Sequence, residues 1–318
     1  MKRTGIRVNI FSMLTAIAAL LFTGCEIGED LSNCPPDQNT VLVFSYLNVP
    51  NPDPDDDDSV SFPDNIGQVT TGIFDSEGNF VLEKIMKTPQ DVTLALPPGT
   101  YTAVCWGNAF HDTKIDGFAE GCNMGQGRVY HPNYNGALTY APGNAIPTND
   151  SLYYGKVTFT KVQYQDLRVP VLFKPAHIKL KVTVLELPNT KAETLPQDYP
   201  VIRIGNLKAA YDFDMKILGD FVDYYPQVVV DTKNKTASAR CDVLRFGNDN
   251  PVTIDVIDNA GDDTALYSLD LEKFIKDNNI AIVDGEEARI SIQISFVDVN
   301  DITVTLVGWE SAPVTPGL

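Results

Sequence analysis

The residue whose surroundings most directly imply chemistry is Cys25, at the end of Leu21-Phe22-Thr23-Gly24-Cys25. A cysteine directly after a small residue, closing an apolar segment, is the arrangement in which a thiolate attacks a diacylglycerol donor. A peptidase then cuts in front of the lipidated residue. The preceding segment has the parts of such a signal: Lys2, Arg3 and Arg7 form a basic start, and Ile10 to Phe22 is apolar apart from Ser12 and Thr15. The apolar run is about a dozen residues, against about twenty for a bilayer-crossing helix, so it is expected to be removed rather than kept as a span. Residues 1–24 are therefore expected to be a signal peptide and Cys25 the lipidated first residue of the mature chain. Each buried methylene contributes about 0.8 kcal/mol and one acyl chain alone is marginal, so several chains would hold it stably.

The other reactive residue types do not converge in the same way. Cys34, Cys105, Cys122 and Cys241 show no C-x-x-C spacing. In an oxidising compartment they allow two disulfides in three connectivities, of which Cys105 with Cys122 is the first pairing to test. His111, His131 and His177 have no ligand spacing with these cysteines, so no metal site is expected. There is no G-x-S-x-G elbow, no H-E-x-x-H, no phosphate-cradling glycine loop and no cysteine with a nearby histidine. Scattered Asp and Glu residues would supply a glycosidase-like pair in any acidic protein. No catalytic residue, no cofactor and no enzymatic activity are expected. Pro52-Asp53-Pro54-Asp55-Asp56-Asp57-Asp58 concentrates hard oxygens but lacks the glycine that would let it wrap calcium, so it reads as a solvated acidic loop. Asp258-Asn259-Ala260-Gly261-Asp262-Asp263 and Gly247-Asn248-Asp249-Asn250 read as plain turns.

The elements that would carry these residues are strands. Residues 25–38 are expected to be a tether, stiffened by Pro35-Pro36. In Ile178-Lys179-Leu180-Lys181-Val182-Thr183-Val184 the apolar residues fall on one face, with Lys, Lys and Thr on the other, as in a half-buried antiparallel strand. Ile290, Ile292, Ile294 and Phe296 repeat the pattern, as do Ile302, Val304 and Leu306. Earlier strands are expected over Val41–Val49, Val69–Asp75, Asn79–Met86, Asp91–Leu96 and Tyr101–Trp106. Asp75-Ser76-Glu77-Gly78-Asn79 and Pro97-Pro98-Gly99 supply hairpin turns between neighbours. Such spacing points to an all-β sandwich. One helix is expected, over Ser268–Asn278. Residues 107–151, rich in Gly, Asn, Pro and Tyr, read as a long excursion from the first sandwich. A domain junction is placed at about residue 174, dividing 39–174 from 175–318.

Charge narrows the partners. Losing the signal removes three of the 24 basic residues against 42 acidic ones, leaving a net charge near −21. That field repels phosphates, so nucleic acid is excluded as a partner. Trp106 and Trp309 each end a strand, where a large ring caps a core rather than stacking on a sugar. Tyr130, Tyr134, Tyr140, Tyr153 and Tyr154, in and around the excursion, could offer exposed aromatic contact area, with half of them packed beneath it.

Several segments, taken in order, resemble the Bacteroidales fimbrillin anchor family, the FimB-type minor fimbrial subunits. They are Cys25 followed by Asp30-Leu31-Ser32-Asn33-Cys34-Pro35, then Thr71-Gly72-Ile73-Phe74-Asp75-Ser76-Glu77-Gly78-Asn79-Phe80. Next come Leu96-Pro97-Pro98-Gly99-Thr100-Tyr101-Thr102-Ala103-Val104-Cys105-Trp106-Gly107-Asn108 and the late Val307-Gly308-Trp309. The acidic Glu26, Glu29 and Asp30 also resemble the export tag of surface-displayed lipoproteins in such bacteria. The resemblance implies two tandem transthyretin-like antiparallel β-sandwich domains, with the short helix in the second. It also implies a surface-exposed lipoprotein of the cell outer membrane that anchors or terminates a fimbrium and has other fimbrial subunits as partners. Contacts by strand addition would then involve Val304, Leu306 and Trp309. The C-terminal Glu310–Leu318 departs from a donor strand, because Pro313 and Pro316 cannot give ladder hydrogen bonds. The rival reading is a surface glycan-binding lipoprotein, which would need an exposed Trp or Tyr face.

Overall fold

The computed structural model describes residues 39–46, 66–88, 91–134, 145–186, 201–231, 233–259, 262–298 and 301–307. They are mostly strand, in three sheets with one short helix. The first half supplies β1 (Thr40–Tyr46), β2 (Val69–Phe74), β3 (Phe80–Met86), β4 (Val92–Leu94), β5 (Gly99–Gly107), β6 (Lys114–Asp116), β7 (Arg128–Tyr130), β8 (Tyr153–Lys161) and β9 (Leu167–Pro175). The second supplies β10 (His177–Leu185), β11 (Val201–Tyr211), β12 (Ile217–Tyr224), β13 (Val228–Asp231), β14 (Thr236–Leu244), β15 (Thr253–Asn259), β16 (Asp262–Asp270), α1 (Leu271–Asp277), β17 (Arg289–Asp298) and β18 (Asp301–Leu306).

Seven strands follow the order β3-β2-β5-β8-β9-β1-β4, and β8 meets β9 through only two residue pairs, Tyr153↔Pro175 and Tyr154↔Lys174. The limbs on either side of that joint share one core, with Leu42 and Val171 from one and Ile73 and Ala103 from the other. The remaining sheets, β13-β14-β10-β17-β18 and the six-stranded β16-β15-β11-β7-β6 with β12 also paired to β11, enclose a second core that includes Val182, Ile204, Ile254 and Ile292. A third core joins the halves: Val104 and Trp106 of β5 pack with Val129, Tyr211 and Phe213. β5 therefore has a core on each face, which is why Tyr101 to Gly107 are all buried and the run is apolar without alternation. Gly72 on β2 is required by the same packing, since a Cβ there would lie 2.3 Å from the Phe118 ring.

Local chemistry explains the turns. The Asp75 carboxylate accepts from the backbone of Glu77 and Asn79, both at 2.9 Å, and Gly78 takes φ 82°, so β2 and β3 close the expected hairpin. Pro97-Pro98-Gly99 does not close one. β4 pairs with β1 and β5 with β2 and β8, so this turn carries the chain from one limb to the other, pinned where the Tyr101 hydroxyl donates to the Pro97 carbonyl at 3.0 Å. The helix begins later than expected. Ser268 to Asp270 remain in β16, and Asp270 caps α1 by accepting from the Lys273 backbone at 3.0 Å.

Three further expectations are corrected. The sheets are not purely antiparallel: β1 runs parallel to β9 and β10 parallel to β17. Side-chain alternation has the same period in both kinds of ladder, so direction is not encoded in it. Lys181 and Thr183, expected to face solvent, are buried on β10, the central strand of its sheet. The excursion is also not merely a loop of the first half. It contains β6, a 3₁₀ turn at Met124–Gln126 and β7, and β7 pairs with β11 through Tyr130↔Ala210 and Val129↔Tyr211.

Candidate subunit-docking edge

β18 closes the five-stranded sheet. One side pairs antiparallel with β17, from Ile292↔Leu306 through Ile294↔Val304 to Phe296↔Ile302, and Val307 adds a bond to the Ser291 carbonyl at 3.1 Å. Among the described residues no strand pairs with its other side. Ile302 and Val304 pack against the second core and hold the strand down, whereas Leu306 is 44% exposed and Thr303 and Thr305 are exposed on the opposite face. The backbone groups of the open side would accept an added strand, and Leu306 gives it an apolar neighbour. Val304 and Leu306 are thus brought together on one face, Val304 chiefly as an anchor; Trp309 lies outside the described residues.

The position of this edge depends on the start of β17, where Glu287 lies two residues before Arg289. Its Oε1 accepts hydrogen bonds from the hydroxyls of Tyr46 at 2.8 Å and Tyr153 at 2.7 Å, which belong to β1 and β8. Burial alone would raise the Glu287 carboxyl; the adjacent His177 and the two phenol bonds more than offset this, and its pKa lies below the usual glutamate value. Burial pushes His177 below the ordinary histidine value, against the pull of Glu287. Its Nδ1 donates to the Leu152 carbonyl at 2.8 Å, because a carbonyl can only accept, and its Nε2 stands 3.8 Å from Glu287 Oε2. Arg245 Nη1 donates to the Glu286 carbonyl at 2.8 Å, and Nη2 to that of Val283. Sequence reasoning missed this junction, whose members are far apart along the chain and individually unremarkable in type.

The remaining expected sites fall as follows. Cys25, Cys34, Tyr140 and the Pro52–Asp58 run lie outside the described residues. Cys241 is a free thiol, and so are Cys105 and Cys122. The two point to different places: Cys105 lies in the first core, while the loop of Cys122 is held to β3 by the Phe80 amide donating to the Cys122 carbonyl at 3.0 Å. Burial pushes the Cys105 thiol up to about 12, and the Thr71 hydroxyl lies 3.4 Å from its sulfur. Trp106 is fully buried, stacked on Tyr211 at 6.3 Å and tilted against Tyr154 at 5.0 Å, so it is a core residue. Of the tyrosines, Tyr153 and Tyr154 are buried, and Tyr130 and Tyr134 are partly exposed. Gly247–Asn250 is a turn in which Asn250 Oδ1 accepts from the Gly247 amide at 2.7 Å. No group of metal-ligating side chains occurs among the described residues.

Comparison with known proteins places these features in context. Residues 31–312 match the sequence profile of the family described as fimbrillin-A associated anchor proteins Mfa1 and Mfa2. No curated protein sequence matches the chain. Among solved structures, the fimbrial anchor protein Mfa2 from Porphyromonas gingivalis superposes with a TM-score of 0.59 at 17% identity, over 85% of this chain and 95% of that one. A Bacteroides thetaiotaomicron protein assigned to polysaccharide binding gives 0.62 at 12% identity, over 86% and 100% of the two chains. A Bacteroides ovatus protein assigned as an adhesin gives 0.62 at 14%, over 86% and 94%. At these identities the structures share a fold with this chain.

Proposed function

The chain belongs to the family of fimbrillin-A associated anchor proteins, and from that premise we propose that it is a lipid-anchored subunit of the outer membrane. In this reading it is displayed on the cell surface and anchors or terminates a fimbrial shaft through strand-mediated contacts with other fimbrial subunits. Cys25 carries the lipid, and residues 25–38 form the tether. Two tandem transthyretin-like sandwich domains, 39–174 and 175–318, project outward, with β6 and β7 of the first completing a sheet of the second, and no residue performs chemistry. The observation that supports the contact is the open side of β18, an uncharged edge beyond Asp301 with Leu306 exposed beside it. Since β18 is already seated on β17, it is suited to accept a strand from a neighbour rather than to be donated.

The test is affinity capture from solubilised outer membranes with the wild type and Cys25→Ala, the co-purifying proteins being identified by mass spectrometry. Fimbrial subunits are expected to follow the wild type, and the variant is expected to release them into the medium. Recovery of the wild type without any fimbrial subunit overturns the reading.

A further inference from the structure

The face of the six-stranded sheet turned away from the third core carries a second feature. Along β6 and β7, Ile115 and Val129 turn into that core. The residues on either side of them, which must point the other way, form the cross-strand pairs Asp116↔Arg128 and, next along, Lys114↔Tyr130. Tyr130 pairs with Ala210 of β11, and Ala210 with Leu218 of β12, so the same face continues across four strands. Its middle is small: Ala210 offers one methyl, and Gly219 takes φ 78° where a Cβ would stand 2.5 Å from the Tyr134 hydroxyl. Large residues around a small floor leave a cleft of about 440 Å³, within the range of small-molecule sites.

The lining has a definite chemical character. Tyr130 and Tyr134 pack edge to face and form adjoining walls at one corner of the cleft, with ring centres 6.3 Å apart and planes at 68°. The Tyr130 hydroxyl donates to Asp116 Oδ2 at 2.7 Å, which fixes that ring and occupies one carboxylate oxygen. The other oxygen of Asp116 and the guanidinium of Arg128 make no hydrogen bond or ion pair with described residues, and both side chains are exposed. The rim thus offers an acceptor and a planar donor fork side by side.

An anion would meet Asp116 and a chain of formal net charge −18, and a cation would meet Arg128 with Lys114 on the same face. A flat apolar ligand would strip water from both groups and return nothing. A ring with an apolar C–H face and hydroxyls on its edge suits every part of the lining, because each hydroxyl both donates and accepts. We propose that this cleft binds a neutral pyranose, its C–H face against the tyrosine walls and two adjacent hydroxyls shared between Arg128 and Asp116. The site is separate from β18, so it fails or stands independently of the shaft-anchoring reading.

The test is saturation-transfer NMR on the full-length chain, in a detergent without a sugar head group, with the methyl pyranosides of glucose, galactose, mannose and N-acetylglucosamine. Methyl glucuronide provides the anionic arm. At least one neutral pyranoside is expected to bind. Arg128→Ala, at an exposed position without partners among the described residues, should weaken it about tenfold, the worth of one charge-assisted hydrogen bond. Tyr134→Ala should do the same, and Tyr164→Ala, exposed elsewhere, should change nothing. No binding by any neutral pyranoside, binding confined to the glucuronide, or binding unchanged in Arg128→Ala overturns the proposal.

Discussion

β3 and β18 are both outermost strands, yet they present opposite surfaces to an approaching chain. β3 exposes Val81 and Ile85, at 40% and 52%, but sets Glu83 and Lys84 between them, both exposed. β18 has no charge after its first residue and shows Thr303, Thr305 and Leu306. A strand laid along β3 would cost two ions part of their hydration, whereas one laid along β18 would cover hydroxyls and an apolar side chain. Partial burial already raises the Glu83 carboxyl above the usual glutamate value. Charge placement, together with the Cys122 loop bound to the Phe80 amide at the start of β3, separates a guarded edge from an available one.

The strongest blow to this comparison would come through the frame that both edges share. Trp106, fully buried in the core between the halves, should cost about 3–5 kcal/mol when changed to Ala, seen as a single denaturant transition at lower midpoint. Separate unfolding of the two halves would show that the edges do not ride on one frame. Next in size is the exchange of edge chemistry. Thr303→Lys with Thr305→Lys should reduce capture of fimbrial subunits at least tenfold, about 1.4 kcal/mol or more. Glu83→Thr with Lys84→Thr should leave capture intact while raising self-association in sedimentation. Equal loss from both pairs would erase the distinction.

The smallest effect expected is a pH dependence belonging to the β18 side alone, through His177 and Glu287. The folded pKa of His177 is below its ordinary 6.5, so its contribution is complete above 6.5 and lost as pH falls from there through the folded value. Glu287 is likewise lowered from 4.5, and its contribution is lost at more acid pH still. Tm should therefore decline below pH 6.5 and decline further below 4.5, and His177→Gln should flatten the upper step. An unchanged upper step in that variant would remove His177 from the support of β17.

How far the sequence reveals this arrangement depends on whether the signal is local. Alternation in Ile290 to Phe296 and in Ile302 to Leu306 locates β17 and β18, and the Asp75–Asn79 cluster locates the β2–β3 hairpin, because each pattern is complete within a few residues. Pairings between distant strands leave no such mark. Nothing in Lys114–Asp116 or Arg128–Tyr130 announces that β6 and β7 complete a sheet of the second half, and β1 beside β9 joins residues more than a hundred positions apart. The helix start was legible after all: Asp270, three residues before Lys273, is a capping position that outweighs the apolar spacing of the preceding strand. Tyr130 and Tyr134 stand out by type alone. Their companions Asp116 and Arg128 become partners only through the cross-strand register.

The two parallel pairs have a mechanical consequence. A chain held at its N-terminal end and pulled at β18 enters β1 at its first residue and leaves β9 at its last. It then enters β10 at its first residue and leaves β17 at its last. Strands that run the same way and are tugged from opposite ends are loaded in shear, so the seven residue pairs of β1–β9 and the seven of β10–β17 must yield together rather than unzip in turn. Between those ladders lies one residue, Ala176, whose amide is bound to the Leu152 carbonyl at 2.8 Å and whose carbonyl accepts from the Arg245 amide at 3.2 Å and the Tyr211 hydroxyl at 3.3 Å. Tension along this line meets a short, clamped joint with little slack to extend.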